Sequence, residues 1–411
     1  MIRTKTRLVL FIALLIVCVD ARQSLAQTKW VASWAASPQD ANDENVLKAD
    51  ELKGGTLRQI VHLSLGGAQV RVHLSNRYGT EPLHFTAVHV AKAVSAGSPR
   101  IVAGTDKEVL FSGKTDVVVP VGADYVSDAL DFSATALSDL AITLRVDLDG
   151  KEMTGHPGSR ANSFLAKGNV VSAEDFPEPK KFTRWLFIAG VDVAAMADSF
   201  AIVALGDSIT DGHGATTDGN DRWPDVLAKR LQADAATKKI SVVNQGIGGN
   251  RLLLDGIAAN VLARFDHDVL AQAGARYVIV LEGINDLGML THEKEVSDAE
   301  HEAEVKRVIG AYEQIISRAH AQGIKVFGGT LTPYVGSSFY HPNAKNEADR
   351  QAVNAWIRTH FDGVIDFDKV VRDPAHPELM LPEFDSGDHL HPGPAGFAAM
   401  ANAISVSLLM N

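Results

Sequence analysis

Ala201-Ile202-Val203-Ala204-Leu205 is an unbroken apolar run that leads straight into Gly206-Asp207-Ser208-Ile209-Thr210. A short continuous run, rather than an alternating one, marks a strand buried on both faces. Four more of the same kind follow: Ile240-Ser241-Val242-Val243, Tyr277-Val278-Ile279-Val280-Leu281, Ile324-Lys325-Val326-Phe327 and Val364-Ile365-Asp366-Phe367. Helical patterns separate them at Trp223 to Ala233, Val261 to Ala273, Asp298 to Gln322 and Asn346 to His360. This alternation predicts a three-layer α/β/α domain, a parallel sheet with helices on both faces. In such sheets the ligand site lies beyond the carboxyl ends of the strands.

Upstream of about residue 196 the texture changes to period two. Val70 to Leu74 and Leu140 to Val146 alternate, and apolar runs recur at Ile60 to Leu65, Phe85 to Val90, Val117 to Val121 and Trp185 to Val193. Gly66-Gly67, Asn76-Arg77-Tyr78-Gly79, Gly97-Ser98-Pro99 and Asp149-Gly150 supply turn residues between them. An antiparallel β-sandwich over residues 27–196 is expected, preceding an α/β domain over 197–411. No internal repeat or low-complexity linker interrupts the chain.

The whole sequence has 411 residues, 46% hydrophobic and 22% charged, which is ordinary globular composition and long enough for two or three cores. Its net charge of −11 and the lack of any basic run argue against nucleic acid as a partner. Residues 1–26 read as a secretory signal peptide: Arg3, Lys5 and Arg7 precede the apolar run Leu8 to Val19, and Ser24-Leu25-Ala26 suits cleavage after Ala26. That run is shorter than the roughly 18 apolar residues of a membrane helix, so stable membrane insertion is not expected. Cleavage would remove four basic residues and one acid, leaving −14, together with Cys18, the single cysteine of the chain. The mature protein would then have neither disulfide nor thiolate site. A secreted or periplasmic address is expected.

Three predicted strands end in polar, glycine-containing turns: Gly206 to Thr210, Asn244-Gln245-Gly246-Ile247-Gly248-Gly249-Asn250 and Glu282-Gly283-Ile284-Asn285-Asp286. A serine hydroxyl needs a base to take its proton and preorganised donors for the oxyanion it creates. The turns offer the nucleophile and the donors together. Gly387-Asp388-His389-Leu390-His391-Pro392 offers the base, with an acid placed to hold an imidazole tautomer. His389 competes with His391 for that part, and Asp207 and Asp286 read as acids that hold their turns. Asp388, His389 and His391 can also be drawn as metal ligands, but no His-Glu-x-x-His pair, mature cysteine or EF-hand loop supports a metal. Gly246 to Asn250 fits neither a phosphate loop nor a dinucleotide fingerprint. No cofactor or metal is expected.

Taken in order, these four blocks resemble those of the SGNH (GDSL-type) hydrolase superfamily over roughly residues 200–411. The stretch Gly206 to Leu227, with Trp30 to Pro38 and Thr154-Gly155-His156-Pro157-Gly158-Ser159 upstream, resembles the subgroup that carries an N-terminal β-domain, which is similar to bacterial xylan-associated esterases. The resemblance implies Ser208 as nucleophile, His391 as general base and then acid, and Asp388 as its orienter. It implies oxyanion donors at the backbone N–H of Ser208 and Gly249 and the side-chain amide of Asn285. No Gly-x-Ser-x-Gly elbow is present, which argues against the α/β-hydrolase version of this chemistry.

The expected function is a secreted serine ester hydrolase, a carboxylesterase or acetyl esterase, cleaving short acyl esters of a small molecule or polysaccharide through an acyl-enzyme. A lipase or lysophospholipase-type acylhydrolase is the alternative, as is a non-catalytic carbohydrate-binding protein whose Trp30, Trp34, Tyr78 and Tyr125 stack on sugar rings. Oligomeric state is not legible.

Overall fold

In the computed structural model, residues 28–41, 47, 49–148 and 153–410 are described. The expected signal peptide, Cys18 and the Asp149-Gly150 turn lie outside them. Among the described residues no helix is long and apolar enough to cross a membrane.

The N-terminal half is built of antiparallel strands, as the period-two pattern requires. Thr28–Ala35, Ile188–Met196 and Gly67–Ser75 lie side by side, and Gly67–Ser75 also pairs with Asp124–Val126 and Leu130–Ala134 to complete a five-stranded sheet. Gly55–His62, Asp139–Asp147 and Leu83–Lys92 form the centre of a seven-stranded sheet. The alternate residues Val70, Val72 and Leu74 of the first sheet and Leu140, Ile142 and Leu144 of the second are buried in one hydrophobic core. The second sheet is covered on its other face too, where Ala141 joins Ile60, Ile101, Phe164 and Phe176 in a separate cluster. A third, three-stranded sheet of Gln39–Asp40, Thr154–His156 and Trp185–Leu186 is small, but it carries residues to the active site.

Several expected strands are shorter than their apolar runs. Pro120, which lacks an N–H, follows the end of Val117–Val119. The Trp185 to Val193 run is split at Phe187, a buried residue at φ +63°, so that Trp185–Leu186 and Ile188–Met196 serve different sheets. Gly55–His62 ends before Leu63, and Ser64 turns instead toward the other half of the molecule, its hydroxyl 2.7 Å from that of Ser241.

The C-terminal half is the expected parallel sheet between helices. Strands run in the order Ile240–Gly246, Phe200–Gly206, Ala275–Leu281, Lys325–Gly329, Gly363–Ile365. All seven residues of Phe200–Gly206 are buried, in keeping with a strand covered on both faces. The helices Trp223–Gln232, Phe367–Val371 and Pro394–Ala403 pack together, and Asp298–Ala321 packs with Ala344–His360 and Ile284–Leu290. Two details depart from the sequence pattern: Phe367 begins a helix instead of ending a strand, and the Val261 to Ala273 segment is an α-helix, Val261–Phe265, continued by a π-helix, Asp266–Leu270.

The halves are joined by more than the chain. Ala32 N donates to Ala273 O at 2.8 Å, Ser241 Oγ donates to Ala32 O at 2.5 Å, and Ser37 Oγ donates to Gln245 Oε1 at 2.6 Å. Their apolar residues also form one continuous core. Trp34 belongs to it, buried edge-on against Trp185 with centroids 4.9 Å apart, and so is not available to stack on a sugar. Trp34→Ala should therefore cost about 3–5 kcal/mol of stability, read as a lower urea midpoint, whereas a sugar-stacking role would leave the midpoint in place.

Candidate active site

Ser208 is the first residue of the short helix Ser208–Asp211, directly after the strand Phe200–Gly206. Asp207 caps that helix, its Oδ1 accepting from Ile209 N at 2.9 Å, which fixes the turn that presents the serine. The Ser208 hydroxyl donates to His391 Nε2 at 2.7 Å, and His391 Nδ1 donates to Asp388 Oδ2 at 2.6 Å. The other Asp388 oxygen accepts from the backbone N–H of His391 and Leu390 at 2.8 and 3.0 Å. Partial burial works to raise the Asp388 pKa, but these hydrogen bonds with His391 and Leu390 outweigh it and hold the carboxyl well below the usual range. His389, the competing base, is turned to Asp385, whose Oδ2 lies 2.7 Å from its Nδ1.

Gly249 and Asn285 line the same cleft as this trio, which encloses about 640 Å³. Gly249 stands at φ +68°, a conformation that suits glycine, and a Cβ there would come within 3.0 Å of Ile257. The Asn285 amide is held at both ends. Its Nδ2 donates to Asn250 O at 2.7 Å, and its Oδ1 accepts from the Tyr340 hydroxyl at 2.5 Å. The second Nδ2 hydrogen keeps its direction because the first is committed. The five residues singled out from the four blocks thus lie in one cleft.

Several residues at the site are given no part in it by the sequence. Tyr340 sits in the loop after the fourth parallel strand and meets Asn285 only through the fold. Gln39, Asp40, Pro157, Gly158 and Arg160 line the cleft from the β-sheet half. His156, quoted above as part of an upstream motif, is buried with Nε2 2.8 Å from Asp211 Oδ1 and Nδ1 3.0 Å from Ser37 O. Gly158 packs so tightly on this pair that a Cβ would meet Asp211 Oδ2 at 1.9 Å.

Beneath the cleft lie three buried acids. Asp286 accepts from Leu252 N and Leu253 N at 2.9 and 3.1 Å and so holds the loop after Asn250. Burial pushes both Asp207 and Asp286 up to about 7, and Glu282 well above the carboxylate range. His213, Asp388 and His391 have ligand-type atoms within 4.8 Å of one another. That trio does not make a good cation site, because an Arg160 guanidinium N–H points at His213 Nδ1 from 3.1 Å. The contact places a positive charge beside it and commits the other ring nitrogen to carrying the proton.

A serine, an imidazole and a carboxylate in hydrogen-bonded sequence, at the carboxyl ends of a parallel sheet in an α/β/α domain, define the serine-hydrolase class of site. Residues 204–399 match the model of the GDSL-like lipase/acylhydrolase family, so the C-terminal half carries a domain of that family, a carboxylic ester hydrolase. No curated protein matches the chain. Among solved structures, it is similar to an acetylxylan esterase from Geobacillus stearothermophilus, in a catalytic mutant, at 19% identity over 53% of this chain and 98% of that one, with a TM-score of 0.38. It is also similar to a GDSL-like lipase from Bacteroides thetaiotaomicron at 20% identity over 51% of this chain and 87% of that one, with a TM-score of 0.37.

Two outcomes are expected from this geometry. Tyr340→Phe frees the Asn285 amide to turn and should lower kcat on 4-nitrophenyl acetate about tenfold, the worth of one good hydrogen bond. The Asp207 carboxyl binds its proton more tightly folded than unfolded. Its contribution to stability is therefore full below about pH 4, the ordinary aspartate range, and is lost as pH rises through about 7. Asp207→Asn should flatten this part of the fall in unfolding free energy, measured by denaturant titration at several pH values between 4 and 8.

Proposed function

We propose that the protein is a serine ester hydrolase that works through an acyl-enzyme, with Ser208 as nucleophile, His391 as base and Asp388 as orienter. The observation that carries this reading is the unbroken hydrogen-bonded chain from Asp388 through His391 to the Ser208 hydroxyl, opening on a cleft beside a clamped amide donor. Ser208 Oγ attacks the ester carbonyl while its proton passes to His391 Nε2. The backbone N–H groups of Ser208 and Gly249 and the Asn285 amide face the oxyanion. Collapse of that intermediate breaks the bond to the alcohol, which leaves with the proton from His391. Water then attacks the acyl-Ser208 ester by the same route and releases the acid.

The alcohol departs on the His391 side, because His391 protonates it. Arg160 and His213 stand on that side, an arrangement that suits a hydroxyl-rich alcohol such as a sugar unit. We read the natural substrate as a short acyl ester, acetyl or similar, on a small polar molecule or polysaccharide. Residues 1–26 then act as an export signal, and the enzyme meets its substrate outside the cytoplasm. A second reading, a larger acyl group, draws support from the cleft mouth near Gly249, where Ile257 is 67% and Phe339 55% exposed.

Hydrolysis of 4-nitrophenyl acetate, butyrate and palmitate by wild type, Ser208→Ala and Asn285→Ala separates these readings. Ser208→Ala should abolish turnover, and Asn285→Ala should lower it on the order of 100- to 1000-fold. Rates falling steeply from acetate to palmitate support the short-acyl reading, and palmitate as the best substrate supports the larger one. Unchanged activity in Ser208→Ala sinks the nucleophile assignment.

A further inference from the structure

The mechanism leaves one ring of the site without work. His213 follows the helix Ser208–Asp211, half its side chain open, and lies against His391 with ring centroids 4.1 Å apart and 37° between planes. Its Nε2 faces Asp388 Oδ2 at 3.7 Å, the same oxygen that accepts from His391 Nδ1. On its other edge, Arg160 Nη2 donates to Nδ1 at 3.1 Å. A guanidinium has only donors to offer, so Nδ1 accepts and the ring proton sits on Nε2, turned toward Asp388. Burial, then the neighbouring His391 and Arg160, push the His213 pKa down, which agrees with a neutral ring.

Arg160 comes from the β-sheet half and is pinned in place. Its backbone sits at φ +48°, its carbonyl accepts from Asp218 N at 2.8 Å, and Asn162 N donates to Asp218 Oδ1 at 2.7 Å. The segment that presents the guanidinium is thus tied at two points to the loop that follows Ser208.

We propose that Arg160 and His213 are a positioning pair, through which the β-sheet half holds His391 and Asp388 in the reactive arrangement. This rests on His391 being the base. The His213 ring walls one face of His391, so the imidazole cannot swing away from Ser208. Its Nε2–H gives the Asp388 carboxylate a second imidazole to face. The nearby acids are engaged elsewhere: Asp211 is bonded to His156, and Asp385 is bonded to His389. Arg160 therefore acts on this trio through His213, the ring that it holds.

The test is steady-state hydrolysis of 4-nitrophenyl acetate by the full chain, in Arg160→Gln, His213→Phe and His213→Gln, with thermal unfolding to check folding. Arg160→Gln removes the guanidinium that holds the His213 ring and should lower kcat several-fold with KM little changed. His213→Phe keeps the ring and loses the nitrogen that accepts from Arg160, so kcat should fall about tenfold with KM little changed. His213→Gln restores an acceptor for Arg160 and should recover most of that loss. A kcat unchanged in Arg160→Gln and in both His213 variants overturns the proposal. The Arg160 variant tests the pair even where a His213 variant fails to fold. Ser208→Ala separates the layers: if it is inactive while the other variants behave as wild type, the positioning pair falls alone, and if it is active the nucleophile assignment falls first.

Discussion

Arg264 is the interaction on which the arrangement of the site depends. Its buried guanidinium donates to Gly206 O and Gln245 O, the ends of two neighbouring parallel strands, and to Asn250 Oδ1 on the loop that carries Gly249. It also reaches Ser37 Oγ in the N-terminal segment, and Asp268 Oδ2 balances its charge at 2.7 Å. A cation taken out of water is tolerated only when every donor is matched and an acid lies close, and here those partners are the backbone ends from which the active-site turns spring. The turn with Ser208 and the turn with Gly249 are thus registered against each other by one planar, five-donor group.

The same residue explains why the β-sheet half is not an independent appendage. Ser37 is held by Arg264 and Gln245, His156 is bonded between Ser37 O and Asp211, and the three-stranded sheet brings Gln39 and Asp40 to the cleft wall. Each contact is buried and polar. Such contacts tolerate little misplacement, because an unmatched donor or acceptor away from water is expensive. The β-sheet half therefore shapes the cleft as well as covering the parallel sheet.

Electrostatically the site is layered. On the cleft side, Asp388 is kept ionised by hydrogen bonds, although half-exposed, and it is the acid that faces His391. Below, Asp207, Glu282 and Asp286 are driven toward the neutral form by burial, so they hold turns and loops without placing three charges beneath Ser208. Carboxyls of one cleft and the layer under it thus have opposite protonation behaviour, set by their surroundings alone.

How much of this was legible follows from the range of each interaction. Local pattern by itself determined the parallel sheet with its helices, the antiparallel half and the four polar turns, because periodicity and turn chemistry act over a few residues; it took the family resemblance to single out Ser208, Gly249, Asn285, Asp388 and His391 within those turns. Local pattern overreached where a backbone break depends on distant packing, as at Phe187 and Leu63, and it read Phe367 as strand where a helix begins. It left His389 and His391 as rival bases. The family resemblance favoured His391, and in the tertiary structure His389 turns to Asp385 and His391 to Ser208. Only the tertiary structure decided the contacts that join Tyr340 to Asn285, Arg160 to His213 and Arg264 to two strand ends, which are 55, 53 and 19 to 58 residues apart in the chain. Each is a single directed hydrogen bond between distant segments, and a bond of that kind leaves no periodic trace in a sequence.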